Sequence, residues 1–482
     1  MAGSLSRAHD AAIVAIAAPN LLSELLEPTL STVEASAAGA LGTVTLAALG
    51  IAEEANRLLT FGRHALSVSA IPMVAAAMAK GDLDRAAAVV SNGVVLAGAF
   101  GVVQLVVIRV AGARIVARMT PPAESDSDTH SKAALQLANS ATDFLRIVGL
   151  AAPASLVGFV LMGSMSGALD PATPLAIHTT CSILRACATS LVSRKTKWGI
   201  QGVAWVQAST AWLQAVLMVA AAVRKGLLGA APLRLALGAM LGGGGLATAK
   251  EYISAASLLL LRTGAFQLAM TALSARAGRL GPAYAAAHKV GRQASGWIST
   301  SVDSIANAAQ ILIAARIATD QAAARAVANR TLVLGGAAGC VLGVGLWFGR
   351  RRFTSMFSND PEVQRNSALV LKSSALLAPV AAVAYILDGI ALGSSDFQFL
   401  AKAMSAVGAA VFLTDRFLVD RLLGWWERRR NKTTRRAGVK SGSGGTDGWV
   451  ELLAVQFLWA MFMGGRCLCI GGRHMLGAGP VG

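Results

Sequence analysis

The chain has 482 residues, of which 55% are hydrophobic and 14% are charged, and its mean hydropathy is +0.58. This composition excludes an ordinary soluble globular protein, because such proteins carry about a quarter charged residues and rarely contain apolar runs long enough to cross a bilayer. The net charge of +18 does not indicate nucleic acid here, because no groove motif of interleaved basic and aromatic residues accompanies the basic clusters. We interpret those clusters as contacts with anionic lipid headgroups.

The apolar runs predict about twelve membrane-spanning helices, six in each half of the chain. Strand-type alternation is absent, and a backbone inside a bilayer must bond within its own helix or close into a barrel, so we predict an all-α integral membrane protein. We assign residues 1–225 to an N-terminal lobe, 226–247 to a linker and 248–482 to a C-terminal lobe with a basic, Gly/Ser-rich loop at 426–447. The predicted spans are 11–36, 45–78, 86–112, 143–167, 174–193, 199–223, 248–275, 284–315, 330–349, 367–393, 398–424 and 448–470.

The two halves are copies of each other. The stretch at 153–170, PASLVGFVLMGSMSGALD, returns 226 positions later at 379–396 as PVAAVAYILDGIALGSSD, and LGTVTLAAL from Leu41 reappears as LGPAYAAAH from Leu280. Two copies of a hydrophobic multi-helix unit predict two lobes facing each other, as in carriers that work by alternating access. The repeated G-x-x-x-G pairs, Gly163/Gly167 and Gly389/Gly393, indicate helix crossings.

Ionisable and polar residues inside the spans are the candidate functional residues, since charge in a bilayer is costly unless it is paired or wetted by a cavity. Asp388 interrupts an apolar stretch, whereas its counterpart in the first copy is Met162. Asp303 and Gln310, seven residues apart, share a face of the predicted eighth span. Further polar groups that could line a cavity are Asn20, Arg262 and Gln267.

An enzyme is not predicted, because the chain has no metal-ligand spacing, no serine nucleophile motif and no phosphate loop. We expect no cofactor. The five cysteines are assigned to packing, and His288 and Gln293 fit packing or capping better than a metal site. The N-terminal MAGSLSRAHD shows neither a cleavage site nor a long Arg/Ser-rich transit region, so the choice between plasma membrane and organelle membrane stays open.

Basic loops bear on topology. The clusters at 193–197, 349–353 and 426–440 fall on one side in a twelve-span count, opposite the two termini. The positive-inside rule places that side in the cytoplasm or its organellar equivalent.

Four ordered stretches resemble the multidrug and toxic compound extrusion (MATE) transporters, particularly the DinF-like branch of bacteria and plants. APNLLSELLEPTLSTVEASAAGALGTVTLAALG from Ala18 is similar to the first-span signature. LRIVGLAAPASLVGFVLMGSMSGALDPATPL from Leu145 resembles the fourth span, LGPAYAAAHKVGRQASGWISTSVDSIANAAQILIAARI from Leu280 the eighth, and YILDGIALGSSDFQFLAKAM from Tyr385 the tenth. The resemblance covers about residues 11–400, whereas the last two spans match only loosely.

The resemblance implies two six-helix bundles that export a substrate in exchange for protons or sodium ions. It implies cytoplasmic termini, against the basic loops, and we prefer the family topology because the spans match. It places a coupling carboxylate at Glu34, where the family usually has aspartate, seven residues after Glu27 and close to the kink-capable Pro28. Such a carboxylate can take up a proton in a dry bundle and release it when the cavity wets.

Two further positions follow from the same resemblance. Asp388 stands where certain branches of the family bind a cation. In the fifth span, positions usually filled by asparagine and aspartate hold Arg185 and Thr189, so half of the usual N-lobe proton network is missing. Arg185 is interpreted as a partner of Glu34, as an anion-binding charge, or as a side chain that snorkels to the surface.

The sequence therefore predicts a monomeric secondary active transporter that exports small organic cations or amphipathic compounds by antiport with protons or sodium ions. Alternatives are an exporter of organic anions or lipid-linked substrates, and a degenerate, non-transporting relative with a scaffold role. The predicted ion-coupling residues are Glu34, Asp303 and Asp388. The predicted substrate-binding residues are Asn20, Glu27, Arg185, Arg262, Gln267 and Gln310.

Overall fold

The computed structural model describes residues 24–60, 81–121, 128–168, 172–195, 198–241, 245–316, 320–394, 396–419 and 447–475, with isolated positions such as Asp170 between them. All regular structure within these ranges is helical, as predicted. The helices are α1 Leu26–Ala40, α2 Thr43–Thr60, α3 Leu83–Met119, α4 Asp128–Gly149, α5 Ala152–Gly167, α6 Ala172–Lys195, α7 Gly199–Arg224, α8 Ala230–Leu241, α9 Gly245–Arg279, α10 Pro282–Arg316, α11 Gln321–Ser355, α12 Pro361–Gly393, α13 Phe397–Leu413 and α14 Asp447–Arg466. A π-helical turn, Thr414–Val419, follows α13, and another, Cys467–Gly471, joins α14 to a last short helix, Gly472–Met475.

Several of these helices are membrane spans by length and apolarity alone. Within the described residues, six meet that test, namely α3, α6, α7, α11, α12 and the segment Val450–Gly471, and the bent pair α4 and α5 would make a seventh. The helices α9 and α10 have 35 residues each, ample length to cross, but they carry more polar side chains. Large apolar side chains such as Val102, Val106 and Val110 of α3 point outward, as expected for a surface that faces lipid.

The chain forms two compact units. Unit 1 comprises Met1–Ile51, Met119–Ala134 and Leu268–Gly482, and unit 2 comprises Ala52–Arg118 and Leu135–Gln267. Because these units interleave in sequence, the lobe boundaries at 225 and 248 stay a prediction. The predicted linker contains the helix α8, and the basic loop at 426–440 lies outside the described residues.

Glycines set the contact between α11 and α12. Gly335, Gly339 and Gly343 follow one another at one-turn intervals on α11, and all three are buried. A Cβ atom on Gly339 would lie 2.6 Å from the Cβ of Ala382 and 2.9 Å from the Cα of Pro379, so the backbones could not approach as closely with any larger residue.

Gly343 also packs against a backbone carbonyl of α12 that has no hydrogen-bond donor within its helix, because a proline follows four residues later. Pro379 has no backbone N–H, so it cannot bond the carbonyl of Ala375 four residues earlier. A Cβ on Gly343 would lie 2.5 Å from that carbonyl oxygen. The bare glycine backbone therefore covers the polar atom, which allows α12 to continue through its proline inside a bilayer.

The first copy of the repeat has the same glycine–proline contact, but its proline-containing helix is bent. A Cβ on Gly101 of α3 would overlap Pro153, so a glycine of the third span again packs on the proline of the fourth. Here, however, the helix breaks at Leu150, and α4 and α5 meet at 51°. The residue four before the proline is Gly149 in the first copy and alanine in the second, and a glycine in addition to the proline weakens the helix enough to bend it.

The repeated stretch ends on an aspartate in both copies, Asp170 and Asp396, which we call the closing aspartates. Their backbone hydrogen bonds are the same in the two copies. The N–H of Asp170 donates to the carbonyl of Met165 at 3.0 Å. The N–H of Asp396 donates to the carbonyl of Ala391 at 3.0 Å, so donor and acceptor both lie 226 positions later. The structure thus confirms the duplication predicted from the sequence.

Each closing aspartate also holds a cation from the end of the sixth span of its own copy. Asp170 pairs with Lys225 directly after α7, and Asp396 pairs with Arg473 after α14 at 3.0 Å. The hydrogen bond from Lys225 lowers the pKa of the Asp170 carboxyl, so this pair forms at neutral pH and is lost only as the pH falls through that lowered value. We call Asp170–Lys225 and Asp396–Arg473 the closing pairs.

The predicted helix crossings are confirmed where α12 meets α10. A Cβ on Gly389 would lie 2.5 Å from the carbonyl oxygen of Ala306, and one on Gly393 would lie 2.8 Å from that of Gln310. Gly163 and Gly167 are likewise buried in α5.

The cysteine interpretation holds only in part. All five cysteines are free, but Cys181 alone among them is buried. Cys187, Cys340 and Cys469 are exposed, so assigning them to packing was wrong. They lie on outward helix faces, where a small apolar thiol is as acceptable to lipid as an alanine.

We expect opposite effects of alanine at two glycines of α11. Gly339→Ala should destabilise the protein by about 1–3 kcal/mol, because the methyl group overlaps α12. Gly345→Ala should be neutral or stabilise by up to about 1 kcal/mol, since nothing lies within 4 Å of a Cβ there. Melting temperatures of the purified variants in detergent check this, and equal shifts would contradict the packing account.

The interaction energy of the closing pair Asp396–Arg473 should be measurable by a double-mutant cycle. Asp396→Asn, Arg473→Gln and the double variant should reveal a coupling energy of about 0.2–1 kcal/mol at low salt, falling as salt is added, because both side chains are partly exposed. Unfolding of the four proteins checks this. A coupling energy of zero at low salt would mean that the pair only accompanies the fold.

Candidate functional site

Hydrogen bonds join α1 to α10 in unit 1. The side-chain amide of Gln293 donates at 2.9 Å both to the carbonyl of Pro28 and to the hydroxyl of Thr32, and it accepts from the hydroxyl of Ser31 at 2.9 Å. The indole N–H of Trp297 donates to Thr32 at 2.9 Å. We call these bonds the polar seam. They confirm that Gln293 serves helix packing.

Glu34 is buried beside this seam. It lies on α1 and is only 2% exposed, whereas Glu27, one α-helical heptad earlier, is exposed to the surroundings of the helix. The two glutamates, which were predicted to have different roles, thus differ in their exposure. Glu34 has the desolvated setting that a proton-binding carboxylate requires.

The first span is interrupted just before its proline. Helical residues lie on both sides of a turn at Leu25, three positions before Pro28, as expected where a proline removes an intrahelical bond. Glu24 lies on the far side of this turn, and its carboxylate accepts a hydrogen bond from the amide of Asn307 on α10 at 2.8 Å. The segments before and after the turn are thus both anchored to α10.

A second cluster in unit 1 is centred on a buried ion pair. Asp388 of α12 is 4% exposed and Arg466 at the end of α14 is 1% exposed. An Nη atom of Arg466 donates to Oδ2 of Asp388 at 2.6 Å, the short distance of a charge-assisted bond. Asp388 is thereby confirmed as a buried charge inside a span, with a partner that the sequence analysis did not name.

Aromatic and acidic groups surround this pair. The guanidinium of Arg466 lies 4.8 Å from the ring centre of Tyr385 and 5.7 Å from that of Phe462. Asp303 of α10, which is half-buried, interacts electrostatically with both Arg466 and Tyr385. The structure therefore brings together two of the three predicted coupling residues, Asp303 and Asp388, around one arginine.

Unit 2 contains a third buried carboxylate. Glu54 of α2 is 3% exposed and accepts a hydrogen bond from the amide of Gln267 at 2.6 Å. Arg57 lies 3.8 Å from Glu54 and 3.2 Å from Glu53. The structure thus gives Gln267, a predicted substrate-binding residue, an acidic partner, and its role towards a substrate stays a prediction.

The remaining predicted residues are more dispersed. Arg185 of α6 and Arg262 of α9 are half-buried in unit 2, and Thr189 is fully buried there. Gln310 lies on α10, where its backbone packs against Gly393. Asn20 lies outside the described residues.

The structure also has a small cavity in unit 1, of about 20 Å³. Its lining includes His288, Arg292, Ser374 and Gln456. It has room for about one water molecule, so a substrate would require these helices to separate. His288 is hydrogen-bonded to Ser274 at 3.0 Å, which fits packing, and the described residues contain no cluster of His, Cys, Asp and Glu arranged to hold a metal ion.

Sequence reasoning missed Arg466 and Glu54, although both carry a usable signal. Each is an ionisable residue inside an apolar run, in the stretches MFMGGRCLCIGG and LAALGIAEEANRLL, and such residues are functional candidates by default.

A family profile and a curated relative both match this chain. The MatE family profile matches residues 19–190 and 249–412, which is more than half of the chain. Protein DETOXIFICATION 44, chloroplastic, of Arabidopsis thaliana is 26% identical over 423 residues, covering 84% of this chain and 76% of that protein.

Solved structures share the fold. An inward-facing multidrug resistance MATE family transporter of the MOP superfamily superimposes with a TM-score of 0.72 at 12% identity, covering 95% of this chain and 98% of that one. The eukaryotic MATE transporter AtDTX14 gives 0.63 at 14% identity, with 98% and 96% covered. Both have the twelve-helix, two-lobe fold predicted for this chain. The chain therefore belongs to the MATE family and is a multi-pass membrane transporter of the plant type.

Proposed function

We propose that the protein is an antiporter that exports organic cations or polar amphipathic compounds, driven by protons or sodium ions and with access alternating between two lobes. The observation that carries this proposal is the burial of Glu34 and Asp388, at 2% and 4% exposed, inside helices of a transporter. A carboxylate inside a span is costly unless it is paired or wetted by a cavity, and in a carrier such a group can bind a cation when it is dry and release it when its surroundings become wet.

The substrate class follows from charge and size. Acidic cavity residues favour cationic or polar amphipathic compounds, while the apolar helix faces supply contacts that tolerate many shapes. The relatives named above include a multidrug resistance transporter and a DETOXIFICATION protein, which supports a broad range of small organic substrates.

Buried cations favour a second candidate, the export of organic anions. Lys289 of α10 is buried, and Arg292, one turn later, lines the small cavity with His288. A wetted cavity with the Arg292 guanidinium on its wall would attract carboxylates or sulfonates rather than amines. The charge of the transported compound decides between the two candidates.

Residence in an organelle would also resolve the topology conflict. In a twelve-span count the basic clusters lie opposite the termini, although the structure places the one at 349–353 near the end of the helix α11 and not in a loop as predicted. The DETOXIFICATION 44 relative is described as chloroplastic. We propose an organelle membrane, and imaging of a fluorescent fusion of the full chain against plastid and plasma-membrane markers tests it.

We expect efflux of a fluorescent organic cation from proteoliposomes to be driven by a pH or a sodium gradient. For electroneutral exchange of one proton per cation, one pH unit supplies about 1.4 kcal/mol, or about tenfold accumulation. Glu34→Gln and Asp388→Asn should reduce the accumulation ratio to about one, because neither variant can release a proton at these positions.

The matched control is Glu362→Gln, which neutralises an exposed glutamate in the first turn of α12 and should accumulate substrate as the wild type does. Equal accumulation by all four proteins would overturn the coupling role of the buried carboxylates. Flux of a fluorescent organic anion alone would favour the second candidate, and no flux of either would favour a relative that no longer transports.

A further inference from the structure

The ion pair between Asp388 and Arg466 bears on which cation the transporter uses. Arg466 is 1% exposed, and its guanidinium donates to Oδ2 of Asp388 at 2.6 Å. This places a permanent positive charge within the first contact shell of the carboxylate. An arginine stays protonated at any physiological pH, so the charge cannot leave by deprotonation.

The surroundings hold this guanidinium in place. It faces the ring of Tyr385 at 4.8 Å, and a second Nη atom lies 3.2 Å from the sulfur of Met463. Asp303 of α10 adds a second carboxylate that attracts it. The charge of Arg292 of α10 also acts on this cluster over a longer range. All of these residues belong to unit 1.

An inorganic cation and a proton differ in what they need at such a carboxylate. A hard metal cation needs several oxygen ligands in direct contact. The fixed charge of Arg466 opposes any second cation at Asp388, a proton included, so the two ions differ in the contacts that they require and not in their charge. A proton needs only one oxygen atom and no coordination shell. Of the groups that form this cluster, the carboxylates of Asp303 and Asp388 can accept one while Arg466 remains in position.

We propose that Arg466 is a tethered counter-cation that fills the cation site at Asp388, so that this site admits protons and rejects sodium ions. Arg466 is thus a specificity-determining residue for the coupling ion. The inference specifies the ion of the antiport proposed above and rests on that function for its physiological meaning.

The test is sodium binding to the purified full chain, read as the melting temperature in NaCl against choline chloride at equal ionic strength. The wild type should show no sodium-specific shift. Arg466→Gln should gain one of about 2–4 °C at a sodium concentration about ten times its dissociation constant, because removal of the guanidinium opens Asp388 to the ion. The double variant Arg466→Gln/Asp388→Asn should lose that shift again.

Two further variants separate charge from position. Arg466→Lys keeps a cation at the site and should behave as the wild type does. Arg473→Gln removes a paired arginine seven residues further along the chain without touching Asp388, so it too should show no sodium-specific shift.

A sodium-specific shift in the wild type that Asp388→Asn abolishes would overturn the proposal, and this arm requires no Arg466 variant to fold. A folded Arg466→Gln protein without any shift would overturn it as well. Since these readouts measure binding, they are independent of flux. Failure of transport in proteoliposomes would therefore refute the antiport function without touching the sodium result.

Discussion

The close approach of bare backbones at glycine is the contact on which this structure depends. In a bilayer, lipid is as apolar as leucine, so helices associate through packing and polar bonds rather than through the hydrophobic effect. The helix α12 is held in this way on two sides, by Gly339 and Gly343 of α11 and by its own Gly389 and Gly393 against α10. These contacts fix the axial position of α12, and with it the position of Asp388.

The helix α10 links the two acidic clusters of unit 1. Gln293, Trp297 and Asn307 bind α1, which carries Glu34, while the backbone at Ala306 receives Gly389 of α12. Asp303 of the same helix acts on Arg466. A displacement of α10 would therefore change the surroundings of Glu34 and of Asp388 together. Packed helices have few alternative arrangements, so such a displacement would be a discrete change rather than a gradual one.

Much of this architecture could be predicted from the sequence, for identifiable reasons. Helical class follows from the backbone's need to bond internally, and the crossing at Gly389 and Gly393 follows from a repeated motif. The burial of Glu34 and Asp388 could be predicted because ionisable residues stand out in apolar runs. The bend at Leu150 could not, because a proline occurs in both copies and only Gly149 tips the balance in one of them.

Partners were harder to predict than positions. Arg466 is 78 residues from Asp388 in the chain, and Gln267 is 213 residues from Glu54. Nothing in a single sequence indicates that residues so far apart are in contact. Physical reasoning from sequence identifies costly side chains, while tertiary packing decides what satisfies them.

The closing pairs preserve a record of how the molecule was assembled. After the ancestral unit was doubled, each half was free to drift, and the midpoints did so, with Met162 in one copy where the other has Asp388. The ends of the fourth and tenth spans did not diverge in this way. Both keep an aspartate with the same backbone turn, paired with a cation from the end of its own copy. Lysine in one half and arginine in the other indicate that charge, not identity, was retained. The two halves therefore differ in charge at the centre of these helices, while both end and anchor the helices in the same way.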